Sequence, residues 1–314
     1  MDISPSVETF MTGASLQDES EFIELEYAES YVHTPLLVAG IGRSPYPIIG
    51  NRTSVVGNGV GVVLVTDDGD GGLSYSKNSS FQNEVWSRNQ HILGGAIQSL
   101  ISKGEIVSKG LHDLGCGVGP VPLALTSLVI EIMQKKCKKL KRGNDQDNQQ
   151  VPTMHIYMND LPSYDFNLLF RDLLNLEVLK RKDDDVPLCF LMGSPGSYYD
   201  RLFPQNTLHF VHSSYALHWL SQVPLGLFTE QGVPINKKAV YISEISPESV
   251  PKAYLAQFDH DFSRFLKCRS REVVPKGLML LTLTGRPSST NSLTWQPFES
   301  EILTRALTCL VHEV

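Results

Sequence analysis

The chain has 314 residues, 41% of them hydrophobic and 19% charged, with a formal net charge of −7. This is an ordinary globular composition, with enough chain to bury a sizeable core. The acidic balance argues against nucleic acid as the main partner. No apolar run reaches the roughly 18 residues that span a membrane, so no membrane partner is expected.

Five cysteines (Cys116, Cys137, Cys189, Cys268, Cys309) are widely spaced and include no C-x-x-C pair. An odd, scattered set suits neither a disulfide framework nor a zinc knuckle, and points to a reducing, cytoplasmic setting. The opening stretch "MDISPSVETFMTGASLQDESEF" has neither the basic nor the apolar region of a secretory signal. The sequons at Asn51 and Asn78 carry no weight in that setting.

Residues 1 to about 70 are rich in Gly, Ser, Pro and acidic residues and read as an atypical, flexible N-terminal extension. Within it, "GNGVGVVLVTDDGDGG" could form one strand. From residue 84, "EVWSRNQHILGGAIQSLI" has helical spacing, and a short strand is expected near 106 to 113. A glycine turn follows. "VPLALTSLVIEIMQKKCKKL" then aligns Leu125, Leu128, Val129, Ile132 and Met133 on one helical stripe. Pro120 and Pro122 suit its first turn, and the lysines suit its C-terminal end.

Strand signals recur in "MHIYMND" (154–160), "PLCFLMG" (187–193), "TLHFVHSS" (207–214) and "GLMLLTLTG" (277–285). Helical stretches lie between them. The longest, from 247 to 274, is expected to stop at a turn formed by Pro275, Lys276 and Gly277. A last helix is expected near 297 to 311. Strands alternating with helices imply right-handed β-α-β crossovers and a mostly parallel sheet of about five strands.

The turn reads "GLHDLGCGVGP", with Asp113 followed by Gly115, Gly117 and Gly119. It is not the G-x-G-x-x-G of dinucleotide folds, whose acid comes about 20 residues later. Nor is it a P-loop, since no G-K-[ST] follows. A dinucleotide oxidoreductase is therefore disfavoured. Asp-x-Gly-x-Gly-x-Gly between strand and helix resembles the turn of S-adenosylmethionine-dependent methyltransferases. That ligand has no phosphate. Its amino-acid tail offers an ammonium to a carboxylate and a carboxylate to backbone N–H groups. Asp160, ending the next strand, could accept both ribose hydroxyls. Its bland alternative is a helix cap ahead of Pro162.

Further motifs follow in one order: "SYSKNSSFQ" (74–82), "DLGCGVGP" (113–120), "NDLPSYDFN" (159–167), "GSPGSYYDRLFP" (193–204), "LHFVHSSYALHWLSQVP" (208–224), "VYISEISPESVPKAYLAQFDHDFSRFL" (240–266) and "EVVPKG" (272–277). Together they closely resemble the plant SABATH methyltransferases, the salicylate, benzoate and theobromine group. The resemblance covers residues from about 70 to 311 and sets the methyltransferase domain at 71–314. It implies an α/β, Rossmann-like class I S-adenosylmethionine-dependent fold, with helices on both faces of a mostly parallel sheet. The expected activity is methyl transfer to the carboxylate of a small, aromatic acid. The alternatives are a xanthine-type N-methyltransferase and a non-catalytic remnant that pairs with a full-length relative.

Carried over by position, the resemblance implies cofactor contacts at Tyr75, Ser79, Asp113, Cys116, Asp160, Leu161, Ser197 and Tyr198. Gln82, Tyr215, His218 and Trp219 would line the acceptor site, with Gln82 and the Trp219 indole N–H as donors to a carboxylate. Asn236 matches a metal-contact position, so magnesium is implied beside S-adenosyl-L-methionine. A homodimer is the implied assembly. No residue is assigned as catalytic. An acceptor carboxylate, with a pKa near ~4, is already ionised and needs only in-line positioning. For an N-methylating relative, His218 is a conceivable base. His stands here where salicylate-specific members carry methionine, so salicylate is not expected. His209, His212 and His218 as a metal set are disfavoured, because no acid joins them.

Two departures stand out. Val121 replaces the asparagine that follows Gly-Pro in the family turn, removing a polar cofactor contact. The chain also stops where the family continues, so an incomplete helical cap is expected.

Overall fold

The computed structural model describes residues 27–29, 35–37, 77, 79–102, 108–142, 153–180, 189–237, 242–243, 245–283 and 309. The elements are β1 (Tyr27–Glu29), β2 (Pro35–Leu37), α1 (Ser80–Ser102), β3 (Ser108–Leu114), α2 (Pro120–Arg142), β4 (Thr153–Asp160), α3 (Phe166–Leu174), α4 (Glu177–Lys180), β5 (Cys189–Pro195), β6 (Leu208–Ser214), α5 (Ser249–Glu272) and β7 (Val273–Thr282).

Seven strands form one sheet in the order β1-β2-β7-β6-β3-β4-β5. The five strands from β7 to β5 run parallel; helices join them except between β5 and β6, where the expected helix is replaced by the helix-free segment 196–207. These are the five that the apolar runs announce. The chain builds outward from β3 through β4 to β5, then returns to place β6 on the other side of β3. The strand order therefore reverses between β3 and β6, which opens a crevice at their C-terminal ends. β1 and β2 come from the Gly- and Ser-rich leader. They pair antiparallel with each other, and β2 pairs with β7 at Leu36↔Thr282 and Leu37↔Leu281. The strand considered at 57–72 and the helix near 297 to 311 fall outside the described residues, apart from Cys309.

Two cores sandwich the sheet. On one face, Leu93, Ile97, Leu100 and Ile101 of α1 and Leu125, Val129, Ile132 and Met133 of α2 pack on Leu111, Ile156, Met158 and Phe210. The predicted stripe of α2 is thus its buried face. On the other face, Phe258, Phe262 and Phe265 of α5 pack on Leu114, Val211, Met279 and Leu281. β3 and β6 feed both cores, Leu111 and Phe210 on one face and Leu114, Leu208 and Val211 on the other.

The expected stop at Pro275-Lys276-Gly277 is different in the structure. α5 ends at Glu272 and β7 begins at once. The three residues form a bulge inside β7: Leu208 pairs with Val273 and Phe210 with Leu278, so four residues intervene on one strand and one on the other. Lys276 takes φ 64°, and Pro275 has no N–H to give to the ladder. A bulge absorbs both features without ending the strand.

Candidate active site

The glycine turn follows β3 and leads into α2. Gly115, Gly117 and Gly119 have φ of 72°, 60° and 107°, a region L side chains enter at a cost. At Gly115 a Cβ would lie 2.4 Å from the Cβ of Ala216 and 3.1 Å from the Tyr198 ring. Only glycine fits between the acceptor-side segment and the Ser197–Tyr198 turn. The N–H groups of Gly115 and Cys116 both donate to the Asn159 carbonyl at 2.9 Å. The Gly117 N–H donates to Asp160 Oδ2 at 3.0 Å, and the Leu161 N–H to Asp160 Oδ1 at 2.7 Å.

Asp160 is therefore no helix cap. Asp165 caps α3, accepting from the N–H groups of Asn167 and Leu168. Asp160 instead faces the glycine turn across the crevice, and the carboxylate retains accepting capacity beyond its two backbone donors. Val121 lies half-buried in the first turn of α2 and brings no polar group to this site.

Asp113 is 2% exposed. Its Oδ1 lies 2.8 Å from His212 Nδ1, while its Oδ2 has no partner. Trp86 of α1 stands edge-on to the His212 ring, with centroids 6.1 Å apart. Ser79, buried just ahead of α1, accepts the Asn83 N–H, and Gln82 lies half-buried one turn before Trp86. α1 thus sets Trp86 against β6, with Ser79 and Gln82 at its N-terminal end. Tyr75 lies outside the described residues.

Beyond β5, Ser197 Oγ accepts the Tyr199 N–H at 3.2 Å. The Tyr198 hydroxyl donates to the Ala216 carbonyl at 2.8 Å. The Tyr199 hydroxyl reaches the carbonyls of Trp219 at 2.8 Å and Leu217 at 3.2 Å. Two tyrosines therefore fasten the Ser197–Tyr199 turn to the acceptor-side segment 215–219.

In that segment Tyr215 holds φ 54°, and its N–H donates to the Thr282 carbonyl at 2.9 Å. Backbone strain of this kind at a non-glycine residue belongs to sites that must aim a side chain. The Tyr215 and His218 rings meet edge-on at 5.8 Å, and His218 lies 6.3 Å from the Trp219 ring. His218 is buried with no partner at Nδ1, and burial pushes its pKa down to about 4. It is neutral at physiological pH.

The structure thus joins Asp160, the glycine turn with Cys116, Tyr198, Tyr215, His218 and Trp219 through one chain of contacts. Asp113 and His212 stand at the β3–β6 side. Asn236 lies elsewhere, its side-chain oxygen accepting from Ser246 Oγ at 2.9 Å. Among the described residues no three His, Cys, Asp or Glu side chains gather as metal ligands. Asn236 alone is not a fit for a metal. The three histidines of the 208–219 stretch go to three different places: His209 accepts the Gly110 N–H, His212 joins Asp113, and His218 joins the aromatic wall.

Two supports were not assigned from sequence. Asn159, fully buried, donates through Nδ2 to the Ser194 and Gly196 carbonyls at 2.6 and 2.9 Å, tying β4 to the turn after β5. On α5, the buried pair Arg269–Glu272 holds the same turn. Arg269 donates to the Tyr198 and Asp200 carbonyls, and Glu272 Oε1 accepts from Arg201 and from the N–H groups of Leu202 and Phe203. Asparagine beside a site aspartate is a weak signal, and an i,i+3 charged pair normally reads as a solvated face.

No helix among the described residues is long and apolar enough to cross a membrane. The family model for SAM dependent carboxyl methyltransferases matches residues 62–314. The chain is 44% identical over 256 residues to the 3,7-dimethylxanthine N-methyltransferase CkTbS of Camellia sinensis var. assamica, covering 81% of this chain and 67% of that one. It is 44% identical over 255 residues to caffeine synthase 1 of Camellia crassicolumna, with the same coverage. Among solved structures, loganic acid methyltransferase with SAH superposes with a TM-score of 0.63 at 32% identity, covering 78% of this chain and 66% of that one. The chain thus spans about two thirds of the length of these relatives. With the Asp-first glycine turn, the β3–β6 crevice and these likenesses in agreement, the chain belongs to the SAM dependent carboxyl methyltransferases, the SABATH family.

Proposed function

We propose that this chain methylates a ring nitrogen of a xanthine-like heterocycle, using S-adenosylmethionine. The observation that carries this reading is the 44% identity to a 3,7-dimethylxanthine N-methyltransferase over 81% of the chain. It displaces carboxyl methylation, the activity first expected from the motifs, to second place. That second reading keeps the support of the family description and of the loganic acid methyltransferase structure.

The site suits the cofactor. The Asp113 oxygen without a partner fits an ammonium, the glycine turn admits close backbone approach, and Asp160 keeps accepting capacity that ribose hydroxyls could use. The cofactor supplies a methyl already activated on a sulfonium. The chain's work is to hold acceptor and methyl in line and to exclude water. Tyr215, His218 and Trp219 provide an aromatic wall for a flat ring, with Gln82 as a polar anchor on the α1 side. His218, held neutral by burial, is a weak base but a good hydrogen-bond partner: its Nδ1 can accept from a ring N–H or donate to a ring carbonyl. A carboxylate acceptor asks for donors only, whereas a xanthine presents both. Tyr75, Ser79, Cys116, Leu161, Ser197 and Tyr198 as further cofactor contacts, a homodimer and a cytosolic location belong to the same proposal.

The test incubates the purified chain and methyl-labelled cofactor with 7-methylxanthine, 3,7-dimethylxanthine, benzoate and salicylate, and reads products by mass. N-methylxanthines are expected. Methyl esters alone would establish the second reading. No product, despite binding of S-adenosylhomocysteine, would reject both and leave a non-catalytic cofactor binder.

A further inference from the structure

The two strands that flank the reversal of strand order, β3 and β6, are joined near their C-terminal ends by one side-chain bond. Asp113 and His212 are register partners in this parallel pair, so their side chains emerge from the same face, one strand spacing apart. His212 Nδ1 lies 2.8 Å from Asp113 Oδ1, and both side chains are 3% exposed. Against an ionised carboxylate, which can only accept, Nδ1 must carry the hydrogen. Trp86 fixes the His212 ring from α1. Ser213, the next residue on β6, donates its hydroxyl to the Leu114 carbonyl at 2.8 Å and locks the same register. Everything around Oδ1 is thus fixed, while Oδ2 is buried without a partner. A buried carboxylate oxygen left unpaired is costly and calls for a cationic or hydrogen-bonding ligand.

We propose that His212 is a positioning residue. It clamps Oδ1 of Asp113 so that Oδ2 is presented, at the chain-reversal crevice, to the ammonium of the cofactor's amino-acid tail. His212 does not touch the cofactor. It acts through Asp113, and Trp86 acts through His212. The inference rests on the cofactor reading above and deepens it. It predicts a selectivity that a merely structural histidine would not create: losing the clamp should weaken ligands with the amino-acid tail and spare those without it.

The experiment titrates the full chain with S-adenosylhomocysteine and, separately, with 5′-methylthioadenosine, which has the nucleoside but no amino-acid tail. His212→Phe keeps an aromatic ring beside Trp86 and removes the donor. It is expected to weaken S-adenosylhomocysteine about tenfold or more while changing methylthioadenosine less than about twofold, and His212→Asn, which can donate from nearly the same point, should recover most of the loss. An equal loss for both ligands, or no loss for either, overturns the proposal. Should His212→Phe fail to fold, Trp86→Leu decides, since Trp86 acts only through the His212 ring: it must show a smaller loss of the same tail-selective kind, and an unchanged ratio overturns the proposal. Failure of the wild-type chain to bind either ligand would instead defeat the cofactor reading itself.

Discussion

Substituting Gly115 by Ala tests whether the turn is built by steric exclusion. The backbone there has φ 72°, where a residue with a Cβ pays roughly 1–2 kcal/mol. The new Cβ would lie 2.4 Å from Ala216 Cβ and 3.1 Å from Tyr198 Cε1. Neither neighbour can yield freely: Ala216 lies on the segment held by the Tyr198 and Tyr199 hydroxyls, and Tyr198 is held through its own carbonyl by Arg269. Overpacking of this kind costs about 1–3 kcal/mol, giving roughly 2–5 kcal/mol in total if the two effects add. Relief requires the turn to shift, which breaks the Gly117–Asp160 bond and misplaces both carboxylates. Thermal unfolding should therefore drop by roughly 5–15 °C, and affinity for S-adenosylhomocysteine should fall about 30-fold or more, the equivalent of ~2 kcal/mol. Gly115→Ala combined with Ala216→Gly should recover the overlap and leave the conformational cost. A Gly115→Ala chain that melts within ~2 °C of wild type and binds S-adenosylhomocysteine within threefold would refute the reasoning.

Glu272→Ala leaves Arg269 charged in a fully buried setting and should cost about 3–5 kcal/mol in denaturant unfolding; replacing both residues by Met and Leu should not restore stability, because the Tyr198 and Asp200 carbonyls and the Leu202 and Phe203 N–H groups then lose their partners. Asp160→Asn keeps the size of the side chain but removes an acceptor from the proposed ribose position. Calorimetry should show S-adenosylhomocysteine weakened by about 1–3 kcal/mol, with methylthioadenosine weakened to the same degree because the ribose is common to both. His218 and His112 are held neutral by burial, pushed down to about 4 and about 3 from an ordinary 6.5. Below pH ~6.5 the unfolded chain takes up protons there that the folded chain refuses, so stability falls as pH drops from ~6.5 toward 4. His218→Phe should flatten that slope by up to about 3 kcal/mol across the window; an unchanged slope in unfolding experiments at pH 4 to 7 would contradict the burial of this ring.

The fold was legible where a single local signal dominates. Runs of strand length rich in apolar residues located β4, β5, β6 and β7, the place ahead of the glycine turn located β3, and a five-residue apolar stripe located the buried face of α2. The functional turn was legible because an acid ahead of three alternate glycines has few other uses. Elsewhere a local signal pointed the wrong way. Pro275-Lys276-Gly277 has the composition of a turn, yet strand pairing on both sides of it is strong enough to keep β7 continuous and bulge it instead. Asp160 ahead of Pro162 has the look of a cap, but the N–H groups nearest its carboxylate are those of Leu161 and of Gly117, a turn 43 residues earlier that only the sheet brings near. His212 was legible as one of three histidines and not as a partner of Asp113, because the pairing is set by strand order and not by spacing along the chain.

The least legible part of the site is the helix that supports it. α5 has acids and bases distributed along its length, and three of them, Asp261, Arg269 and Glu272, are almost completely buried. Each meets backbone groups of a loop. Asp261 accepts from the Ser221 N–H at 2.8 Å and hydroxyl at 2.6 Å and from Gln257 at 2.9 Å. Arg269 and Glu272 grip residues 198–203. Loops carry polar backbone that a purely apolar helix face could cover only at the cost of unsatisfied groups. Buried charges reverse that cost, since a fully hydrogen-bonded carboxylate or guanidinium satisfies several backbone groups at once. The apolar stripe of Phe258, Phe262 and Phe265 fastens α5 to the sheet, and the charged positions between its turns fasten the loops to α5. The turn bearing Ser197 and Tyr198 and the segment bearing Tyr215, His218 and Trp219 are therefore anchored to the same rigid rod, and through Tyr198 and Tyr199 to each other. The residues proposed for the cofactor and for the acceptor are thus held in one frame by side chains outside both proposed sets, which is what in-line positioning requires.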